Sequence, residues 1–150
     1  MSEGLTKSAA RNIFFGGTLF FLIVLIALTV NSYGYIQKHS TDVAGITPGV
    51  AQGKAVWEHH SCINCHTILG EGAYYAPELG NVWARYGGND DADTAREGIK
   101  NWIRSQPSGI EGRRQMPHFD INEQDLDALV DFFHWVNTIK NQDWPPNEAG

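Results

Sequence analysis

The two cysteines of this chain stand three positions apart with a histidine directly behind them, as Cys62-Ile63-Asn64-Cys65-His66. At this spacing each thiol can form a thioether to one porphyrin edge, which leaves the adjacent imidazole beneath the metal as an axial ligand; this is the C-x-x-C-H pattern of covalent haem attachment. Rival chemistries fit less well. A zinc site calls for more cysteines or paired histidines, and a thioredoxin-like dithiol calls for a βαβ setting that the flanking sequence lacks.

A second axial ligand must come from downstream. Besides the initiator, Met116 is the one methionine, and it lies in Gln115-Met116-Pro117 between two helical stretches. An isolated methionine is usually a core filler, but in a polar loop beside proline and after a haem motif, ligation is the favoured reading. His118 is the main competitor, with His59, His60 and His134 behind it. Histidine and methionine together fill both axial positions and raise the reduction potential relative to two histidines, which suits electron transfer rather than substrate chemistry. Between the two ligands, Pro77 and Leu79 stand where they can support His66. The Pro77 carbonyl can accept from the second ring N–H of His66, and Leu79 can pack on the porphyrin; a plain turn is the alternative.

Helices must position these residues. Thr47-Pro48 reads as an N-cap followed by proline at the first helical position, which predicts a helix over 48–60 with Gly53 and Trp57 on one face. A second helix is predicted from Asp93-Thr94 to residue 105, stopped by Pro107, with Ile99, Trp102 and Ile103 on its apolar side. A third begins near Asn122 and presents Leu126, Leu129, Val130 and Phe133 at helical spacing. No strand-like alternation competes, and the glycine-rich acidic run 87–93 reads as a solvated connection rather than a calcium loop.

Residues 12–37 carry no Lys, Arg, Asp or Glu, and 13–30 are almost wholly apolar. At about 1.5 Å per helical residue that stretch covers roughly 27 Å, close to the thickness of a bilayer's hydrocarbon. A buried core helix seldom runs so long without a polar face, and a cleaved signal peptide has a shorter apolar core, about 7–15 residues, with a small-x-small site after it. The reading is a membrane anchor over 1–37, a polar tether over 38–46 and a domain over 47–150. Lys7 and Arg11 precede the span, so the N-terminus is expected in the cytoplasm and the domain in the periplasm, with Tyr33 and Tyr35 at the far boundary. From Lys38 onward nine Lys and Arg face sixteen Asp and Glu, which argues against nucleic acid or anionic lipid as a partner.

Taken in order, Gly53 and Trp57, C-x-x-C-H, Pro77-x-Leu79, Trp102-Ile103 with Pro107, Met116-Pro117 and an amphipathic last helix resemble a class I cytochrome c. The anchor together with the strings at 69–81 (Leu-Gly-Glu-Gly-Ala-Tyr-Tyr-Ala-Pro-Glu-Leu-Gly-Asn), 109–117 (Gly-Ile-Glu-Gly-Arg-Arg-Gln-Met-Pro) and 144–147 (Trp-Pro-Pro-Asn) is similar, over nearly the full chain, to the cytochrome c subunits of bacterial respiratory nitric oxide reductases. The fold class that follows is all-α, a single N-terminal transmembrane helix and a class I cytochrome c-like domain around one covalent haem.

The resemblance implies an electron-input subunit in the bacterial inner membrane with no catalytic residue of its own. Electrons would arrive from a soluble periplasmic cytochrome c or cupredoxin. They would pass to a large catalytic subunit holding haem b and non-haem iron, where two nitric oxide molecules become nitrous oxide and water. It also implies a calcium ion shared with that subunit, with the Gly72 backbone carbonyl as a ligand and Glu71 and Tyr74 at the interface. From the residues alone, Tyr74 and Tyr75 equally suit a protein contact or the wall of the porphyrin site. Arg113 and Arg114 suit either haem propionates and partner carboxylates or plain solvent. A free-standing anchored carrier that shuttles electrons between other complexes is the alternative function, and a haem sensor with an open iron site is a third.

Overall fold

The structure is a computed structural model that describes residues 4–141 and Trp144. Two compact units make up the chain, Met1–His39 and Ser40–Gly150. The fold is mostly helical, with a single two-stranded hairpin among the described residues.

The first unit is helix α1, Lys7–Tyr35, which continues as a π-helical turn over Ile36–Ser40. Thr6 caps it by accepting the Ala9 N–H at 3.2 Å. From Lys7 to Ser40 the helix is long and apolar enough to cross a membrane, and none of α1 is buried within the protein. A helix satisfies its backbone polar groups internally, and Thr29 does the same for its hydroxyl by donating to the Leu25 carbonyl at 2.8 Å. Such a helix can therefore enter lipid without orphaned donors.

The segment 38–46 differs from the plain tether read from the sequence. Helical structure runs on to Ser40, and the residues after it are held by the domain. Trp135 Nε1–H donates to the Asp42 carbonyl at 2.9 Å, and the Lys140 amide donates to the Ser40 carbonyl at 2.9 Å. These are long-range partners that a local pattern does not disclose.

In the second unit, α2 (Pro48–His59) packs against the final helix α5 (Glu123–Thr138). Thr47 caps α2 and Asn122 caps α5, each accepting from the amide three residues on. The interface buries Val50, Val56 and Trp57 of α2 against Leu126, Leu129, Val130, Phe132, Phe133 and Val136. Trp57 meets Phe133 edge to face, with centroids 6.0 Å apart. Helix α4, Ala92–Arg104, is capped by Asp91 rather than by the expected Asp93, because the Asp91 carboxylate reaches the Thr94 amide at 3.1 Å. It buries Ala95, Ile99, Lys100 and Ile103; Trp102, at the edge of that stripe, stays half exposed.

Two small elements have no counterpart in the helical reading of the sequence. One is the hairpin β1 (Thr67–Ile68) and β2 (Glu71–Gly72), whose two-residue turn puts both Leu69 and Gly70 at positive φ. The other is the one-turn helix α3, Val82–Arg85, which drives Trp83 into the core, where His134 stacks on its indole at 4.4 Å. A single turn is too short to display a period, and a two-residue strand too short to alternate.

Candidate haem site

Ser61 leaves α2 in a left-handed conformation and a 3₁₀ turn, Cys62–Asn64, follows directly. The Cys62 carbonyl accepts from both the Cys65 amide (3.1 Å) and the His66 amide (2.9 Å), so one turn gathers the two thiols and the imidazole. Both cysteines are free and half-buried. Burial pushes the Cys62 thiol up to about 11, which keeps it protonated at neutral pH.

The chain after the hairpin runs back alongside this turn. Ala73 N–H donates to the Ile63 carbonyl, Ala76 N–H to the Cys65 carbonyl and Leu79 N–H to the Thr67 carbonyl, at 3.0, 2.8 and 2.9 Å. That path brings the Pro77 carbonyl oxygen to 2.8 Å from His66 Nδ1. A carbonyl can only accept, so Nδ1 carries the proton and Nε2 is the nitrogen left for a metal. Burial lowers the His66 pKa, which favours the neutral ring a metal requires. Trp57 backs the ring at a centroid distance of 6.4 Å.

Cys62, Leu79 and Met116 all pack, half-buried, against the same apolar core. The other histidines are placed differently. His118 Nδ1 lies 3.2 Å from the Gln106 carbonyl, His60 meets the Phe119 ring at 5.4 Å, His59 meets His60 at 5.0 Å, and His134 is the ring stacked on Trp83. Four large apolar side chains, Ile63, Leu69, Trp102 and Ile110, remain substantially exposed. Two thiols on one turn, a neutral imidazole with its second nitrogen satisfied, a thioether on the same core and uncovered apolar surface form a donor set that fits a covalent haem.

The profile of the cytochrome c family matches residues 50–137, from the buried face of α2 almost to the end of α5. Among the cytochrome c subunits of nitric oxide reductases, that of Halomonas halodenitrificans is 55% identical to the chain over all 150 residues and over its own whole length. The corresponding protein of Paracoccus denitrificans is 54% identical and that of Stutzerimonas stutzeri 45%, again from end to end. The chain belongs to the family of nitric oxide reductase cytochrome c subunits. As a member of that family it is a haem-bearing electron-transport protein of denitrification, and Cys62 and Cys65 fit the attachment pattern of its covalent haem c.

The remaining predicted positions of this nitric oxide reductase cytochrome fall on the hairpin and on the loop after it. Glu71 and Gly72 form β2, and both are exposed. Gly72 has a local reason to be glycine, since at φ 126° a Cβ would lie 2.3 Å from the His66 carbonyl oxygen. Tyr74 is exposed, its hydroxyl donating to the Gly70 carbonyl at 3.4 Å. Arg114 sits over the Tyr75 ring at 5.1 Å and donates to the Tyr75 carbonyl. Among the described residues no group of three or more His, Cys, Asp or Glu side chains gathers as a metal site.

One residue of the site escaped the sequence reading. Glu78, between Pro77 and Leu79, is only 3% exposed. Burial by itself would raise its carboxyl, yet the hydrogen bonds converging on it, among them those from the Gly70 and Gly80 amides and the Trp144 indole, hold it below the usual carboxylate range. An acidic residue in a loop ordinarily points to solvent, and its partners lie as far away as position 144.

Proposed function

We propose that this chain is the electron-input subunit of a nitric oxide reductase. It accepts electrons at haem c from a soluble periplasmic cytochrome c or cupredoxin and passes them to a haem b- and non-haem iron-containing catalytic subunit, which reduces nitric oxide to nitrous oxide. The observation that carries this reading is the end-to-end similarity to nitric oxide reductase cytochrome c subunits, anchor and haem domain together. Bound haem c supplies a one-electron Fe(III)/Fe(II) couple. Cys62 and Cys65 hold it through thioethers, and His66 and Met116 are its axial ligands. The Pro77 carbonyl orients His66 and raises its basicity, and Leu79 packs on the macrocycle. With both axial positions filled by protein, the chain transfers electrons without binding nitric oxide itself, so the reaction centre belongs to the partner.

Helix α1 crosses the bacterial inner membrane once, with Lys7 and Arg11 on the cytoplasmic side and the haem domain in the periplasm. Glu71 and Tyr74, exposed on the hairpin and its following loop, face the catalytic subunit. Gly72 offers its carbonyl to a calcium ion whose other ligands come from that subunit.

Purification of the intact complex in mild detergent, followed by a haem and metal inventory, tests this reading. Covalent haem c is expected to co-purify with haem b and non-haem iron. Recovery of the chain from the membrane alone, with haem c as its only metal centre, overturns it.

A further inference from the structure

The Glu78 carboxylate is buried without a cationic side chain among its hydrogen-bond donors. Its Oε1 accepts the amides of Leu69 and Gly80, each at 2.8 Å, and its Oε2 accepts the Gly70 amide at 3.1 Å and Trp144 Nε1–H at 3.3 Å. Both oxygens are thus fully committed, three of the four donors being backbone. Two of those amides belong to the hairpin turn in which Leu69 holds φ 54°, a conformation a leucine seldom adopts unless its surroundings impose it. The Glu78 backbone is held as firmly as its side chain, because its carbonyl accepts from Arg85 Nη2 at 2.9 Å.

The peptide group immediately before Glu78 carries the Pro77 carbonyl that accepts from His66 Nδ1. A carbonyl on a mobile loop would wander relative to the imidazole, and the ring's orientation and basicity would wander with it. Here a buried anion pins that loop to the hairpin, to Gly80 and to the indole near the C-terminus. We infer that Glu78 is the positioning residue for the proximal histidine: its carboxylate fixes the Pro77 carbonyl against His66 Nδ1–H and thereby sets the orientation and donor strength of the imidazole presented to iron. This rests on the proposal that His66 ligates haem c.

Three variants of the full chain in its membrane complex test it: Glu78→Asp, Glu78→Gln and Trp144→Phe. Glu78→Asp keeps the negative charge but withdraws the carboxylate by one methylene, so it separates geometry from electrostatics. Glu78→Gln sets an NH₂ group against N–H donors, and Trp144→Phe removes one donor only. Ferric EPR g values report the ligand-plane orientation, a redox titration reports the potential, and thermal melting reports stability. For Glu78→Asp, displaced g values and a raised potential are expected, because a loosened Nδ1–H bond makes the imidazole a poorer stabiliser of the ferric state. Trp144→Phe should move both the same way by less.

Wild-type g values and potential in Glu78→Asp, with only a lowered melting temperature, overturn the inference and leave Glu78 a stabilising residue alone. Should neither Glu78 variant accumulate, Trp144→Phe decides, and wild-type g values and potential there overturn it equally. Failure of the underlying ligand assignment looks different, since the unmodified complex would then lack the low-spin spectrum of a histidine-ligated haem c.

Discussion

Gly53 of α2 lies so close to α5 that a Cβ at this position would stand 1.9 Å from the Ala128 carbonyl oxygen and 2.8 Å from Phe132 Cβ. The two helices that frame the core therefore cross backbone to backbone at a residue without a side chain. Gly53→Ala must push them apart, because neither neighbouring atom is the end of a flexible group. A loss of at least about 3 kcal/mol is expected, the upper range for an overpacked core. Chemical denaturation of the detergent-solubilised chain checks it, and a midpoint equal to wild type would show that the helices separate at no cost.

Met116 packs on the core shared by Cys62 and Leu79 and is the proposed second axial ligand. Met116→Ala should lower the reduction potential, by part of the roughly 0.8 V range that axial ligands command, and open the iron to carbon monoxide. Redox titration and carbon monoxide difference spectra of the reduced protein read both effects. An unchanged visible spectrum would move the assignment to another residue, with His118 first in line.

Glu78 also predicts an acid limb in stability. Its folded-state pKa lies below the ordinary value of 4.5, so the unfolded chain takes up its proton first as pH falls. Its contribution is therefore complete above 4.5 and is lost as pH drops below 4.5 through the folded-state value. Melting curves from about pH 7 to about pH 3 should fall less steeply in Glu78→Gln than in wild type. Parallel curves would mean that other carboxylates carry the acid response.

Lys100 is the buried cation of the soluble unit, 5% exposed, with its ammonium 2.7 Å from Asp127, 3.2 Å from Glu123 and 3.3 Å from Glu97. The Asp127 hydrogen bond, helped by Glu123 and Glu97, outweighs burial and raises its pKa above 10.5. The stabilisation is complete below 10.5 and is lost as pH rises beyond it. Lys100→Met keeps the apolar stem and removes the charge while its three carboxylates stay open to water. The expected loss is about 1–2 kcal/mol near neutral pH, read from denaturant midpoints. A larger loss would mean that the carboxylates repel one another strongly once the ammonium is gone.

The amphipathic stripe and Asn122 cap of α5, the Thr47-Pro48 start of α2 and the apolar run of α1 were all legible, because each is a local pattern with its own physical cause. The cap of α4 was misplaced by two residues, since Asp91 and Asp93 are equally good capping types and only the backbone path selects the first. Trp102 was assigned to the buried stripe and lies at its edge. The hairpin at 67–72 and the turn of α3 were not legible at all, as neither is long enough to carry a period.

By itself the sequence determined the attachment chemistry, the single long apolar helix and the order of the elements, because thiol spacing, a charge-free run and helix caps act within a few residues of one another. Only the tertiary structure decided which oxygen His66 Nδ1–H meets, which groups neutralise the cost of burying Glu78 and why position 53 must be glycine. Each of those depends on atoms brought together across the fold, such as the Trp144 indole against a carboxylate 66 residues earlier. No local rule specifies such a distance, and the packed core does.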